Sequence, residues 1–75
     1  MEWRYIEDKD AAGDDLDEAG ARAHFGVHDP GCPVLELEGG WFAVWFGAPQ
    51  KSPTDYPQLS RAPKDPVLAK QYPHV

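Results

Sequence analysis

The chain has little of several features that define common protein classes. It holds one cysteine in 75 residues, which excludes an internal disulfide and the disulfide-stapled secreted class. Seven basic residues stand against thirteen acidic ones, and the net charge of −6 argues against direct binding to nucleic acid or to an anionic membrane. The first residues show no signal-peptide pattern, and no apolar run approaches the length of a membrane span. We therefore expect a soluble, cytoplasmic protein.

Motifs that carry chemistry are also missing. There is no phosphate-binding glycine loop, nucleophile elbow or dinucleotide fingerprint. His24, His28 and Cys32 are zinc-ligand types, but a structural site needs a fourth ligand, and glycine and proline interrupt any helix that would align the three. Catalysis by Cys32 with a histidine base lacks a nearby orienting group. The sequence predicts no enzyme, cofactor or metal site, with a small zinc- or thiol-dependent protein as the alternative.

Acidic residues crowd the stretch between residues 7 and 18. A calcium-binding loop counted from Asp8 does not match. Alanine occupies its fifth position (Ala12) and its twelfth (Ala19), where a bidentate Glu is needed. Two interpretations remain: a solvated face that aids solubility and caps a helix, or a surface that imitates phosphates and enters a basic groove. The residues that carry the second interpretation are Asp14, Asp15, Asp17 and Glu18.

Charge and proline divide the chain at the same point. Residues 1–47 hold eleven acidic and three basic residues, a net charge of −8, whereas residues 48–75 hold two acidic and four basic residues, a net charge of +2. Six of the eight prolines lie in the second part: Pro49, Pro53, Pro57, Pro63, Pro66 and Pro73. We predict an acidic α+β mini-domain at 1–47 and a proline-rich, extended segment at 48–75, called the C-terminal arm below.

The N-terminal part contains signals for a strand and a helix. Aromatic and β-branched residues between Glu2 and Glu7 favour a short strand. After a polar loop, Asp14 or Asp15 is the predicted N-cap of a helix, because the acids that follow suit the positive end of the helix dipole. Gly26 is the predicted end of this helix.

The clearest element is a β-hairpin within residues 32–46. Two runs of strand-forming residues flank Gly39-Gly40, and such a two-residue glycine loop is a strong hairpin signal. This loop predicts one apolar face, able to receive the helix, that consists of Leu35, Leu37, Phe42, Val44 and Phe46. The opposite face is predicted to hold Val34, Glu36, Glu38, Trp41 and Trp45.

Together these signals predict a small β-α-β-β domain, a three-stranded sheet with one helix, followed by the C-terminal arm. Prolines prevent regular helix near the start of the arm, while residues 66–72 can form a short helix with Pro66 in its first position and Asp65 as cap. Trp41 and Trp45 have three interpretations: the arm covers them, a partner covers them, or they line a small-molecule pocket.

The function predicted from these observations is a non-enzymatic protein–protein interaction module. Its sharpest form is an inhibitor or accessory protein that occupies the basic, nucleic-acid-binding surface of a larger complex, and its size and acidity are similar to those of phage or mobile-element accessory proteins. The predicted contact residues are Trp41, Trp45, Tyr56, Leu59, Leu68 and Tyr72, with the acids named above for steering. The alternatives are a structural or assembly subunit with an extended arm, and a homodimer.

Overall fold

The computed structural model describes residues 1–75 and has a small α+β fold. Strands β1 (Glu2–Glu7), β2 (Val34–Leu37) and β3 (Trp41–Phe46) form one antiparallel sheet in the order β1-β3-β2. Helix α1 (Glu18–His24) lies between β1 and β2 in the chain. The C-terminal arm contains a 3₁₀ turn (Pro53–Asp55) and helix α2 (Pro66–Gln71). None of the helices has the length and apolar character needed to cross a lipid bilayer.

The hairpin that joins β2 to β3 differs from the predicted one by a single residue. Leu37 pairs with Trp41, so the loop has three residues, Glu38, Gly39 and Gly40, instead of two. Both glycines have a positive φ, 87° and 82°, a conformation that other residues adopt only with strain. The prediction of a hairpin is confirmed, and the predicted register is wrong.

This shift of one residue exchanges the faces of β2 relative to β3. The backbone N–H of Glu38 donates to the carbonyl of Ala62 at 2.8 Å, on the outer side of β2, and so does not pair with Trp41 as the predicted two-residue loop requires. The predicted membership of the two faces is therefore wrong. One side of the hairpin carries Leu35, Leu37, Trp41, Ala43 and Trp45, and the other carries Val34, Glu36, Phe42, Val44 and Phe46.

Each side of the sheet supports its own apolar cluster. The helix-side cluster consists of Ala21, Phe42 and Val44, with α1 supplying Ala21. The arm-side cluster consists of eight buried residues: Trp3, Cys32, Leu35, Leu37, Ala43, Trp45, Tyr56 and Leu59. The second cluster draws on both the 1–47 and the 48–75 parts of the chain, and the sheet is thus the middle layer of three.

Helix α1 starts later than the sequence pattern predicts. Its N-cap is Asp17, whose carboxylate accepts a hydrogen bond from the Gly20 N–H at 2.7 Å, so the predicted caps Asp14 and Asp15 are wrong. Asp15 forms a backbone bridge with Lys9 and also an ion pair with its side chain. The chain before Asp17 is held extended by this bridge, which delays the helix.

Backbone hydrogen bonds within the C-terminal arm join its last residues to Leu59. Leu59 donates its N–H to the carbonyl of Pro73 at 2.8 Å and accepts from the N–H of Val75 at 3.0 Å. Between these points, α2 begins with Asp65 as N-cap and Pro66 in its first turn. The last residues of the arm therefore hold Leu59 in position over the sheet.

Candidate functional site

Three of the four aromatic residues predicted for partner contact, Trp45, Tyr56 and Tyr72, form a packed group with Trp3 within the molecule. The ring centroids of Trp3 and Trp45 are 5.2 Å apart in an edge-to-face arrangement, and Tyr56 lies 4.8 Å from Trp45 in the same geometry. Tyr72 of the arm completes the group at 6.1 Å from Trp3. Trp45 retains 2% of its surface exposed and Leu59 none. This group therefore fills the space between the sheet and the C-terminal arm.

The polar side-chain atoms of Trp3, Trp45 and Tyr56 have hydrogen-bond partners within the chain. The indole N–H of Trp3 donates to the Pro57 carbonyl and that of Trp45 to the Ala48 carbonyl, each at 2.8 Å. The Tyr56 hydroxyl accepts from the Gln50 N–H at 3.0 Å. No buried side-chain nitrogen or oxygen lacks a hydrogen-bond partner. Trp45, Tyr56 and Leu59 thus face inward, while Leu68 and Tyr72 are half-buried against the arm-side cluster.

Trp41 has a different environment, because it lines an open groove. The groove has a volume of about 230 Å³ and is formed by Tyr5, Trp41, Ser60 and Arg61. The Arg61 guanidinium carbon lies 5.8 Å from the Trp41 ring centroid, within the range of a cation–π contact. Tyr5 accepts a hydrogen bond from the Ser60 N–H at 3.1 Å and holds the arm at this end of the sheet. The groove can stack a flat group, but it is shallow.

The guanidinium of Arg61 lies against the hairpin loop. A Cβ atom added at Gly39 would lie 2.7 Å from a guanidinium nitrogen of Arg61, closer than real contacts allow. The positive φ is what requires glycine at this position, since the flexible end of the Arg61 side chain can move away from an added Cβ. The groove residues Tyr5, Ser60 and Arg61 were not predicted, because the arm's path over the sheet leaves no local pattern in the sequence.

The acidic segment, defined here as residues 7–18, lies on the surface after β1. It holds seven carboxylates and one basic residue, Lys9. Six of the seven acidic residues are exposed, and the seventh, Asp8, is half-buried. The predicted steering acids Asp14, Asp15, Asp17 and Glu18 all lie on this surface, so the structure brings them together over the last turn of the loop and the first turn of α1.

Local contacts use part of this charge. A hydrogen bond and ion pair with Lys9 at 2.7 Å lower the pKa of Asp15, and the same contact raises the pKa of Lys9. Glu18 pairs with Arg22 at 3.3 Å. Glu7 and Asp14 have no side-chain hydrogen bond or ion pair, and both are exposed. The segment therefore keeps a surplus of exposed negative charge after its internal contacts are made.

Of the three residues considered for zinc or thiol chemistry, Cys32 and His24 have contacts within the fold and His28 is exposed. Cys32 is buried, and its thiol donates to the Gly47 carbonyl at 3.1 Å. Burial raises the pKa of this thiol, with the Asp29 carboxylate adding to the shift, so the protonated form is favoured at neutral pH. His24 packs edge-to-face on Phe25 at 4.7 Å. No group of three or more His, Cys, Asp or Glu side chains is arranged to hold a metal ion.

No protein-family model matches this chain, and no curated protein or solved structure shows significant similarity to it. Its function must therefore be argued from its own surface.

Proposed function

We propose that this protein is a non-enzymatic interaction module whose acidic segment contacts a basic surface on a larger protein or nucleoprotein complex. In its sharpest form it acts as an inhibitor or accessory protein of the phage or mobile-element type, in the cytoplasm, and competes with nucleic acid for that surface. The acidic segment supplies the charge, and the folded core presents it in a fixed arrangement.

The observation that carries this proposal is the exposed, largely uncompensated charge of the acidic segment. Seven carboxylates stand against one lysine, and only Asp15 and Glu18 have ion-pair partners. Complementary charge accelerates encounter and selects partners of the opposite sign. A surface of this kind therefore favours a partner with a basic groove.

The burial of the aromatic group supports charge as the means of recognition. Trp45, Tyr56 and Leu59 are enclosed by their own chain, so their contribution is to hold the arm in place. Trp41 is the one member of the predicted aromatic contact set that lines an open groove. The contact set that we now propose is thus Glu7, Asp14, Asp15, Asp17 and Glu18.

The test measures binding to a defined basic probe, a twelve-residue lysine-rich peptide, by isothermal titration calorimetry over a range of salt concentrations. We expect the dissociation constant to rise by about tenfold or more between about 50 mM and about 300 mM salt, because exposed charges are screened. The same peptide with acetylated lysines should not bind.

A pair of matched variants locates the binding surface. Glu7→Gln with Asp14→Asn removes two exposed charges that have no side-chain partner, and should weaken binding severalfold. Glu38→Gln with Asp55→Asn removes the same charge from exposed positions outside the acidic segment and should leave binding within twofold. Equal losses in both double variants would mean that net charge alone matters, and the proposal would fail.

A further inference from the structure

The outer edge of β1 has free backbone groups. β1 pairs with β3 in a register that places Arg4 opposite Val44, and the Asp8 N–H donates to the Gly40 carbonyl in the same register. Because hydrogen-bonded pairs alternate along an antiparallel ladder, the even-numbered residues of β1 direct their N–H and C=O groups to β3. The odd-numbered residues Trp3, Tyr5 and Glu7 direct theirs away from the sheet, where no partner is present.

The opposite edge of the sheet is covered by the chain itself. At β2, the Glu36 carbonyl accepts from the Lys64 N–H at 3.0 Å, and the Glu38 N–H donates to the Ala62 carbonyl at 2.8 Å. Pro63, buried between them, forms a bridge with Leu37. The fold thus protects one of its two edges with the C-terminal arm and leaves the other available for pairing.

The surroundings of the β1 edge suit an added strand. Tyr5 and Ile6 are half-buried and lie on opposite sides of the sheet, so an added strand would find an apolar contact on each side. Exposed carboxylates stand at both ends of β1, at Glu2 and Glu7. Arg4, the one basic residue of the strand, is already paired with Glu2 at 3.2 Å and lies over the Phe46 ring.

We propose that the β1 edge is the docking site for an extended, basic segment of the partner protein, which joins the sheet as a fourth strand. The proposal rests on the proposed function for the charge of the partner and adds the means of attachment. Backbone hydrogen bonds to Trp3, Tyr5 and Glu7 supply affinity, as in other cases of strand addition. Lysine or arginine at the ends of the added strand complements Glu2 and Glu7.

Charge selects this occupant over a second copy of the chain. Each copy carries a net charge of −6, and β1 leads directly into the acidic segment. Pairing two copies through β1 would bring their acidic segments towards each other's sheets, and like charges oppose such association. A basic segment meets attraction at the same place.

The test uses an eight-residue peptide with lysine at both ends and alternating threonine and valine between them, long enough to span the six residues of β1. Binding to the full chain is followed by calorimetry and by amide hydrogen exchange. We expect exchange at Trp3, Tyr5 and Glu7 to slow by about tenfold or more on binding, because these amides gain acceptors. The amides of Arg4 and Ile6, already bonded to β3, should change little.

A matched peptide separates strand pairing from charge. It keeps both lysines and replaces two valines by proline, which removes N–H donors and prevents pairing. We expect its dissociation constant to be at least about tenfold higher. If both peptides bind equally and only the acidic segment responds, strand addition is overturned while the proposed function stands. If neither peptide binds at low salt while the lysine-rich peptide does, strand addition is overturned and the proposed function stands; if none of the three binds, both fail. If Trp3, Tyr5 and Glu7 are protected without peptide and sedimentation gives a dimer, the edge belongs to a second copy and the proposal is overturned.

Discussion

The two sides of the sheet are packed by different means. On the helix side, α1 buries one alanine against Phe42 and Val44, and the cluster has three buried members. On the arm side, a segment with little regular structure completes a cluster of eight, which includes both buried tryptophans. The proline-rich part of the chain therefore closes the larger of the two clusters.

This difference shows that composition is a poor guide to which part of a small chain is dispensable. A chain of this length buries only about 60% of the surface that its unfolded form exposes, so each apolar contact is a large share of its stability. Tyr56 and Leu59 of the arm are buried, whereas Leu16 and Phe25, which flank the helix-side cluster, are partly exposed. We expect stability to depend more on the arm than on α1.

Removal of the C-terminal arm should change the stability of the protein more than any other variant described here. A chain of residues 1–47 would expose Trp3, Trp45 and Leu37 to water, and the loss of this burial should exceed the whole stability of a domain this small. We expect red-shifted tryptophan emission and no cooperative thermal transition. A truncated chain that keeps blue-shifted emission and melts cooperatively would mean that the sheet and α1 suffice.

A single substitution on each side gives a finer measure. Leu59→Ala removes a fully buried side chain and should lower the free energy of unfolding by about 3 kcal/mol. Phe25→Ala removes a larger side chain that is only partly buried on the helix side, and should cost about 1 kcal/mol. Urea denaturation of both variants would measure the difference, and a larger loss at Phe25 would reverse the comparison.

The smallest effect that we expect is a response of the arm side to alkaline pH. Burial raises the pKa of the Cys32 thiol above its ordinary value of 9.0, and burial, with a contribution from Tyr56, raises the pKa of Tyr72 above 10.0. Both groups are neutral when protonated, so the folded state favours the proton. Their contribution to stability is complete below the unfolded pKa values and is lost as pH rises through the folded ones.

The free energy of unfolding should therefore be flat from about pH 7 to about pH 8 and fall above about pH 9. Urea denaturation at several pH values, read by tryptophan emission, measures this decline. Cys32→Ala with Tyr72→Phe removes both titrating groups and should flatten it. An equally steep decline in that double variant would place the titrating groups elsewhere.

Local patterns were enough to predict the order of the elements and the α+β class. The strand at the N-terminus, the single helix before the hairpin and the hairpin itself follow from residue types and their spacing. The hairpin register does not follow from these local patterns. It goes with the hydrogen bond from the Glu38 N–H to the carbonyl of Ala62, which lies 24 positions away in the chain. The N-cap at Asp17 likewise depends on the bridge between Lys9 and Asp15.

Only part of the candidate site could be predicted from local patterns in the sequence. The acidic segment is visible as a run of carboxylates in the sequence, whereas the groove at Trp41 requires the arm to bring Ser60 and Arg61 beside it. The free edge of β1 depends on the strand order, which no local signal fixes. Long-range packing thus decides which of the predicted residues reach the surface.

The backbone hydrogen bonds that join Leu59 to Pro73 and Val75 limit how early the chain can fold during translation. Trp3 leaves the ribosome well before its neighbour Tyr72 and before the carbonyl and amide that hold Leu59, all of which lie more than sixty positions later in the chain. Contacts of such high sequence separation form slowly. The nascent chain must therefore keep Trp3, Trp45 and the edge of β2 exposed until the C-terminal arm has cleared the exit tunnel.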